Sequence, residues 1–162
     1  TNTTRPVTGT GVSAAELLIS EVPSYDYGDV PIGGFIDKTF TVQNIGNTDA
    51  TVITDSSAFA GDFDWATGAY PGTGIGTACA GGLTVGSTCD IVVRISATGI
   101  AGPRADTITL NYNNGVALVN STRGLLANAV TAGALLISDG ATYDYNTQAT
   151  GSSTTKIFTL TN

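Results

Sequence analysis

Two cysteines, Cys79 and Cys89, flank a Gly-rich stretch in TACAGGLTVGSTCDIVV, and the chain has no further cysteine and no histidine. The Gly-rich segment can fold back and let the thiols meet, so a Cys79–Cys89 disulfide is expected, with two buried free thiols as the alternative. A structural zinc site asks for four ligands of nitrogen or sulfur, and this chain cannot supply them. Without histidine, a Ser-His-Asp or Cys-His nucleophilic site is excluded too.

Carboxylates offer the other route to chemistry. Asp62 and Asp64 share a face if their segment is extended, and Asp26 and Asp29 lie close in sequence. Acids paired in this way serve glycoside hydrolysis or bind Ca2+. Nothing resembles an EF-hand or a nonapeptide calcium repeat, so solvated strand-edge and turn carboxylates are the preferred reading. Lys38 shares parity with Phe40 and is expected to point inward near its strand end. It either snorkels at the edge of the fold or forms an intramolecular Lys–Asn isopeptide bond of the kind found in some surface adhesins. Asn2-Thr3-Thr4 and Asn120-Ser121-Thr122 are glycosylation sequons, although a Thr-rich chain also produces such triplets by chance. No catalytic residue, cofactor or metal is assigned, and the chain is read as non-enzymatic.

The elements that must position these residues are strands. Short alternating runs rich in Thr, Val and Ile are separated by Gly, Asn, Asp and Pro, the pattern of an all-β sandwich or barrel. Strands are expected at 15–20, 25–30, 35–44, 51–55, 89–97, 102–112 and within 116–130. Pro31 to Gly34 is turn chemistry, and Asn113-Asn114-Gly115 is a hairpin signal. Phe40, Val42, Ile91, Val93, Ile108, Leu110 and Trp65 form the expected core. Thr39, Thr41, Val92 and Arg94 fall on opposite faces of their strands. Phe59, Phe63 and Trp65 read as core or core-edge anchors, and the Gly-rich stretch 68–82 is the longest expected loop.

One stretch occurs twice. LLISEVPSYDYGDVPIGGFIDKTFTVQN (17–44) returns without a gap as LLISDGATYDYNTQATGSSTTKIFTLTN (135–162), a shift of 118 residues (135 − 17). The same shift lays TNTTRPVTGTGV (1–12) over VNSTRGLLANAV (119–130). Over the 44 overlapping residues (162 − 118), 17 are identical. Self-similarity at a fixed period marks a tandem repeat. The expected organisation is the end of a preceding repeat at 1–12, one complete module at 13–130, and the first strands of a following repeat at 131–162. The chain thus reads as a slice of a longer polypeptide. The last piece contains too little to close a core alone, so strands of a neighbouring copy or repeat are expected to complete it, by strand addition of the donor-strand kind.

Composition narrows the partners. The chain is 41% hydrophobic and only 12% charged, too apolar for a disordered segment. Its net charge is −7, and the six cations Arg5, Lys38, Arg94, Arg104, Arg123 and Lys156 are scattered. Nucleic acid and anionic membrane surfaces are therefore poor partners, and no run of about 18 apolar residues could span a membrane. Cysteine usage in a chain of so little charge points to an oxidising compartment.

About seven strands in one repeat is close to the immunoglobulin-like pattern. The segments YDYGDVPIGGFIDKTFTVQNIGNTDATV, FAGDFDW, CAGGLTVGSTCDIVVRISATGIAGPRADTITL and GTGV (9–12) resemble the bacterial choice-of-anchor D modules, immunoglobulin-like sandwiches related to the hydin-type domains. The departures are a longer Gly-rich insert (68–78) and a closing segment, 119–130, without a GTGV ending. In that family paired cysteines flank a Gly-rich turn before a strand, which fits Cys79 and Cys89. The resemblance implies an exported, tandemly repeated scaffold with no catalytic residues to carry over. A structural repeat of an extracellular filament, fibre or cell-surface stalk is the first functional reading. The alternative is an adhesive or glycan-binding module that uses the 68–82 loop with Tyr70, and an accessory domain of an enzyme is a third.

Overall fold

In a computed structural model, described here over residues 3–72 and 78–162, the chain is all-β. Nine strands lie between Leu17 and Val130: β1 (Leu17–Ile19), β2 (Ser24–Pro31), β3 (Phe35–Asn44), β4 (Ala50–Asp55), β5 (Phe63–Trp65), β6 (Gly81–Leu83), β7 (Thr88–Ser96), β8 (Gly102–Asn113) and β9 (Leu118–Val130). Two further strands, β10 (Leu136–Ile137) and β11 (Leu160–Thr161), follow. One sheet has the order β1-β3-β7-β5, the facing sheet β2-β9-β8-β4-β6, and β10 pairs with β11 alone. No helix long and apolar enough to cross a membrane occurs among the described residues, which says nothing about strands that might do so in a barrel.

The period-2 pattern sets the two layers. Phe40 stands opposite Ile91 and Val42 opposite Cys89 on β3 and β7, while Ile108 and Leu110 of β8 and Leu125 of β9 face them from the second sheet, all buried. The whole expected core set, including Trp65, is buried, and Thr39, Thr41 and Arg94 are at least partly exposed. Val92 is on the outer face of β7, as its parity requires, yet it too is buried. The segment after β5 crosses over it: Ala66 N–H donates to the Val92 carbonyl (3.0 Å) and Val92 N–H to the Pro71 carbonyl (2.8 Å). Gly72 completes this crossing at φ 84°, where a Cβ would lie 2.0 Å from the Val92 oxygen. Only glycine fits there.

Two short strands, β5 and β6, exceed the seven expected from sequence; β6 lies at the end of the stretch read as a loop. The sheets are antiparallel except for one pair, β2 with β9, which run parallel with Tyr25 opposite Leu125 and Val30 opposite Ala129. The register of that pair shifts between Asp26 and Asp29. Gly28 takes φ 72° there, and its N–H is held by the Asp26 carboxylate at 2.8 Å.

Cys79 and Cys89 form the disulfide, S–S 2.05 Å, joining the start of β7 to the segment that precedes β6. The closed loop, about 11 residues for a sequence separation of 10, contributes about 2.5–3 kcal/mol through restriction of the unfolded chain. Intact mass should rise by two hydrogens on reduction, and the reduced protein should unfold at lower denaturant. Two thiols that alkylate freely in the native, unreduced protein would contradict the bond. A disulfide of this kind belongs to an oxidising, non-cytoplasmic environment.

Candidate functional site

The acidic pairs do not form a site. Asp62 is buried, whereas Asp64, two residues on, is exposed and accepts its hydrogen bond from the Trp65 N–H. Asp62 receives Arg104 Nε at 2.6 Å, Thr98 N–H at 3.2 Å and the Thr98 hydroxyl. Asp26 caps its own turn, and Asp29 accepts from Asn128 Nδ2 at 2.8 Å. Burial pushes the Asp62 carboxyl up, but the Thr98 and Arg104 hydrogen bonds and the Arg104 charge outweigh it and hold the group below the usual carboxylate range. A depressed carboxyl stabilises the fold above its unfolded value of about 4 and loses that contribution as pH falls through the folded value. Wild-type stability should therefore drop below about pH 4, and Asp62→Asn should be weaker at pH 7 with a flatter acid limb. Superimposable acid limbs for the two proteins would remove this role from Asp62.

Lys38 is half-buried, and its ammonium meets Glu21 at 2.7 Å and lies 4.5 Å from the centre of the Tyr25 ring. Of the two readings, the geometry fits the snorkelling one: the lysine makes an ion pair and a cation–π contact at the sandwich edge. Tyr70, proposed for a binding loop, is half-buried edge-on against Trp65, ring centres 5.1 Å apart, and burial pushes its hydroxyl up to about 12. The heart of that loop, 73–77, lies outside the described residues, as does the sequon residue Asn2. Asn120 is exposed on β9, opposite Asn111 of β8 and beside an open groove of about 420 Å3 that also touches Leu118 and Val119.

What the chain does build twice is the start of the module. Ser20 N–H donates to the Thr41 carbonyl and Ser138 N–H to the Thr159 carbonyl, both at 2.9 Å. The Ser20 hydroxyl accepts from Thr41 N–H at 3.2 Å, and Ser138 from Thr159 at 3.1 Å. Tyr25 meets Phe40 edge-on at 5.6 Å, and Tyr143 meets Phe158 likewise at 5.6 Å. Lys156 repeats Lys38, 3.0 Å from Asp139 and 4.6 Å from the Tyr143 ring centre. The Asp139 partner raises the lysine, and the Lys156 hydrogen bond lowers the carboxyl.

Burial differs between the copies. Leu17 is 4% exposed, Ile19, Phe40 and Val42 0%, and Tyr27 7%; their equivalents Leu135, Ile137, Phe158, Leu160 and Tyr145 are 73%, 54%, 42%, 62% and 40% exposed. In the first copy, cover comes from strands later in the module. β7 pairs with β3, β9 pairs with β2, and the buried Arg123 guanidinium of β9 donates to the Ile19 carbonyl of β1. The second copy has the same local frame and an open apolar face.

The path of the chain adds a direction. Ser13 is held by Asn47 (2.6 Å), and Ala15 N–H by the Asn114 carbonyl (3.0 Å), at the pole that carries the β8–β9 hairpin. From there β9 runs its 13 residues to Val130, whose carbonyl is bound by Ile32 N–H at 2.8 Å. At about 3.3 Å per residue, the chain leaves about 40 Å from where it came in, at the opposite pole.

No family model and no curated protein matches this chain. Among solved structures, it is similar to the ASH/PapD-like domain of human CEP192, with a TM-score of 0.52 at 12% identity over 82% of this chain and 96% of that one. It is also similar to part of the VesB protease of Vibrio cholerae, TM-score 0.50 and 17% identity over 69% of this chain, and spans only 31% of that structure. These likenesses concern the fold alone: an immunoglobulin-like β-sandwich.

Proposed function

We propose that this chain is a structural repeat of an extracellular filament, fibre or cell-surface stalk, of the choice-of-anchor D type, in which modules follow one another end to end. The observation that carries this reading is the pairing of a 118-residue sequence repeat (135 − 17) with a module whose chain enters at one pole and leaves at the other. Repeats threaded in this way stack lengthwise, each touching only its neighbours, and their number sets the length of the whole. The disulfide suits an exported scaffold. Specific chemistry is not required of such a module; rigidity and spacing are.

Proteins carrying one, two and four copies of residues 13–130 in series, measured by small-angle scattering, test the reading. The maximum dimension should grow by about 40 Å per copy. Growth with the cube root of mass, as for a compact cluster, would refute it.

A further inference from the structure

Residues 1–12 repeat 119–130, and four positions agree: Asn2, Thr4, Arg5 and Val12 match Asn120, Thr122, Arg123 and Val130. Two of the four serve the fold. The Arg123 guanidinium is buried against the Ile19 carbonyl, and Val130 is half-buried at the end of β9. Asn120 and Thr122 are exposed instead. Among the described residues their side chains make no hydrogen bond, whereas Asn44, Asn47 and Asn128 each commit their amides to a partner. Packing accounts for half of what the repeat retains here. The sequon Asn-x-Thr accounts for the other half.

We propose that Asn120 carries an N-linked glycan, and that its repeat equivalent Asn2 is a second acceptor of the same kind. The donor is a lipid-linked oligosaccharide of the exporting cell. The bond from Asn120 Nδ2 to C1 of the first sugar forms, the bond from C1 to the lipid phosphate oxygen breaks, and one Nδ2 proton is released with the lipid phosphate. The proposal goes beyond the filament reading and does not depend on it. It needs only an exported chain, which the disulfide suits.

The surroundings of Asn120 fit an acceptor. Asn120 and Thr122 stand two residues apart on β9, so both point to the outer face of the larger sheet, about 7 Å from each other. Their cross-strand neighbours are Asn111 and Thr109, which bring no charge. β2 flanks β9 only from Gly124 onward. Residues 118–123 therefore have β8 as their one strand partner among the described residues, and the acceptor is open from the other side. The groove of about 420 Å3 beside Asn120 suits the first sugar: Leu118, 73% exposed, offers apolar surface to the face of the ring, and Asn111 offers an amide to its hydroxyls. A bulky, hydrophilic chain there also covers Leu118 and crowds the open edge, which would otherwise invite strand pairing.

Peptide mass spectrometry of the protein isolated from its own cells tests the proposal, with the intact Cys79–Cys89 bond marking exported chains. The peptide that contains Asn120 should carry sugar. Asn120→Gln and Thr122→Val should each lower its occupancy by at least about tenfold, and Thr122→Ser should keep it, because the hydroxyl is what the sequon requires. Neither side chain packs or bonds within the fold, so each variant should melt with the wild type once sugars are removed, which separates loss of the acceptor from misfolding. Three results would overturn the proposal: an unmodified Asn120 in disulfide-bonded chains, sugar on Asn2 alone, or sugar that survives Asn120→Gln but not Thr122→Val, as an O-linked chain would. Each would leave the lengthwise growth of serial copies intact, so it is distinguishable from failure of the end-to-end reading.

Discussion

Phe40→Ala should lower the stability of the module by about 3–5 kcal/mol and its melting temperature by at least about 10 °C. Phe40 is fully buried and sits where the layers meet, opposite Ile91 on β7 and edge-on to Tyr25. Removing the ring forfeits its transfer energy and leaves a cavity that two rigid sheets close only in part. That loss is comparable to the whole stability of many small domains. The repeat provides an internal control. Phe158 is the same residue in the same local frame, but it is exposed. Phe158→Ala should therefore change melting of the dilute protein by no more than about 0.5 kcal/mol and act on association instead. Equal melting shifts for the two variants would mean that the faces of the two copies are not distinguished by cover as described.

Asn44→Ala should cost about 3–4 kcal/mol, with Asn44→Asp nearly as damaging at neutral pH. Asn44 is fully buried and uses both ends of its amide. Its Nδ2 donates to the Thr48 and Leu83 carbonyls at 2.9 and 3.0 Å, and its Oδ1 accepts from Gly46 and Glu16 N–H at 3.1 and 3.3 Å. It thereby shapes the turn after β3 and ties β1 and β6 to it. Truncation strands backbone groups away from water, each costing about 1–3 kcal/mol unless the turn opens. An aspartate cannot donate to the two carbonyls and would bring a buried charge. Denaturant unfolding at pH 7 measures this directly, and a shift below about 1 kcal/mol would show that the turn forms without the amide.

Much of this architecture was legible because alternation is a local signal. Phe40 and Val42, Ile91 and Val93, and Ile108 and Leu110 announce their inward faces within a few residues. The hairpin at Asn113–Gly115 and the closeness of Cys79 and Cys89 are similarly local. The parts that were not legible depend on distant partners. β2 looks like any extended piece until β9, a hundred residues later, lies parallel beside it. β5 and β6 are three residues each and exist as strands only through β7 and β4. Val92 reads as exposed by parity, and nothing nearby announces that Ala66–Gly72 will cover it. Asn44 resembles an ordinary turn residue; its recurrence as Asn162 was the one available signal of its structural role. The direction of Lys38 was anticipated, whereas its partner, Glu21, sits on a turn whose φ of 66° no pattern foretells.

The central proposal is that the face formed by Leu135, Ile137, Tyr145, Phe158 and Leu160 is completed by strands of a neighbouring copy or repeat. Hydrogen exchange across residues 135–160, read alongside light scattering over a concentration series, addresses it most directly. The account predicts a dilute monomer whose amides exchange rapidly in this stretch while β3, β7, β8 and β9 stay protected. Protection of 135–160 should then appear in step with growing mass. A monomer already strongly protected across that stretch at the lowest concentration would contradict the claim.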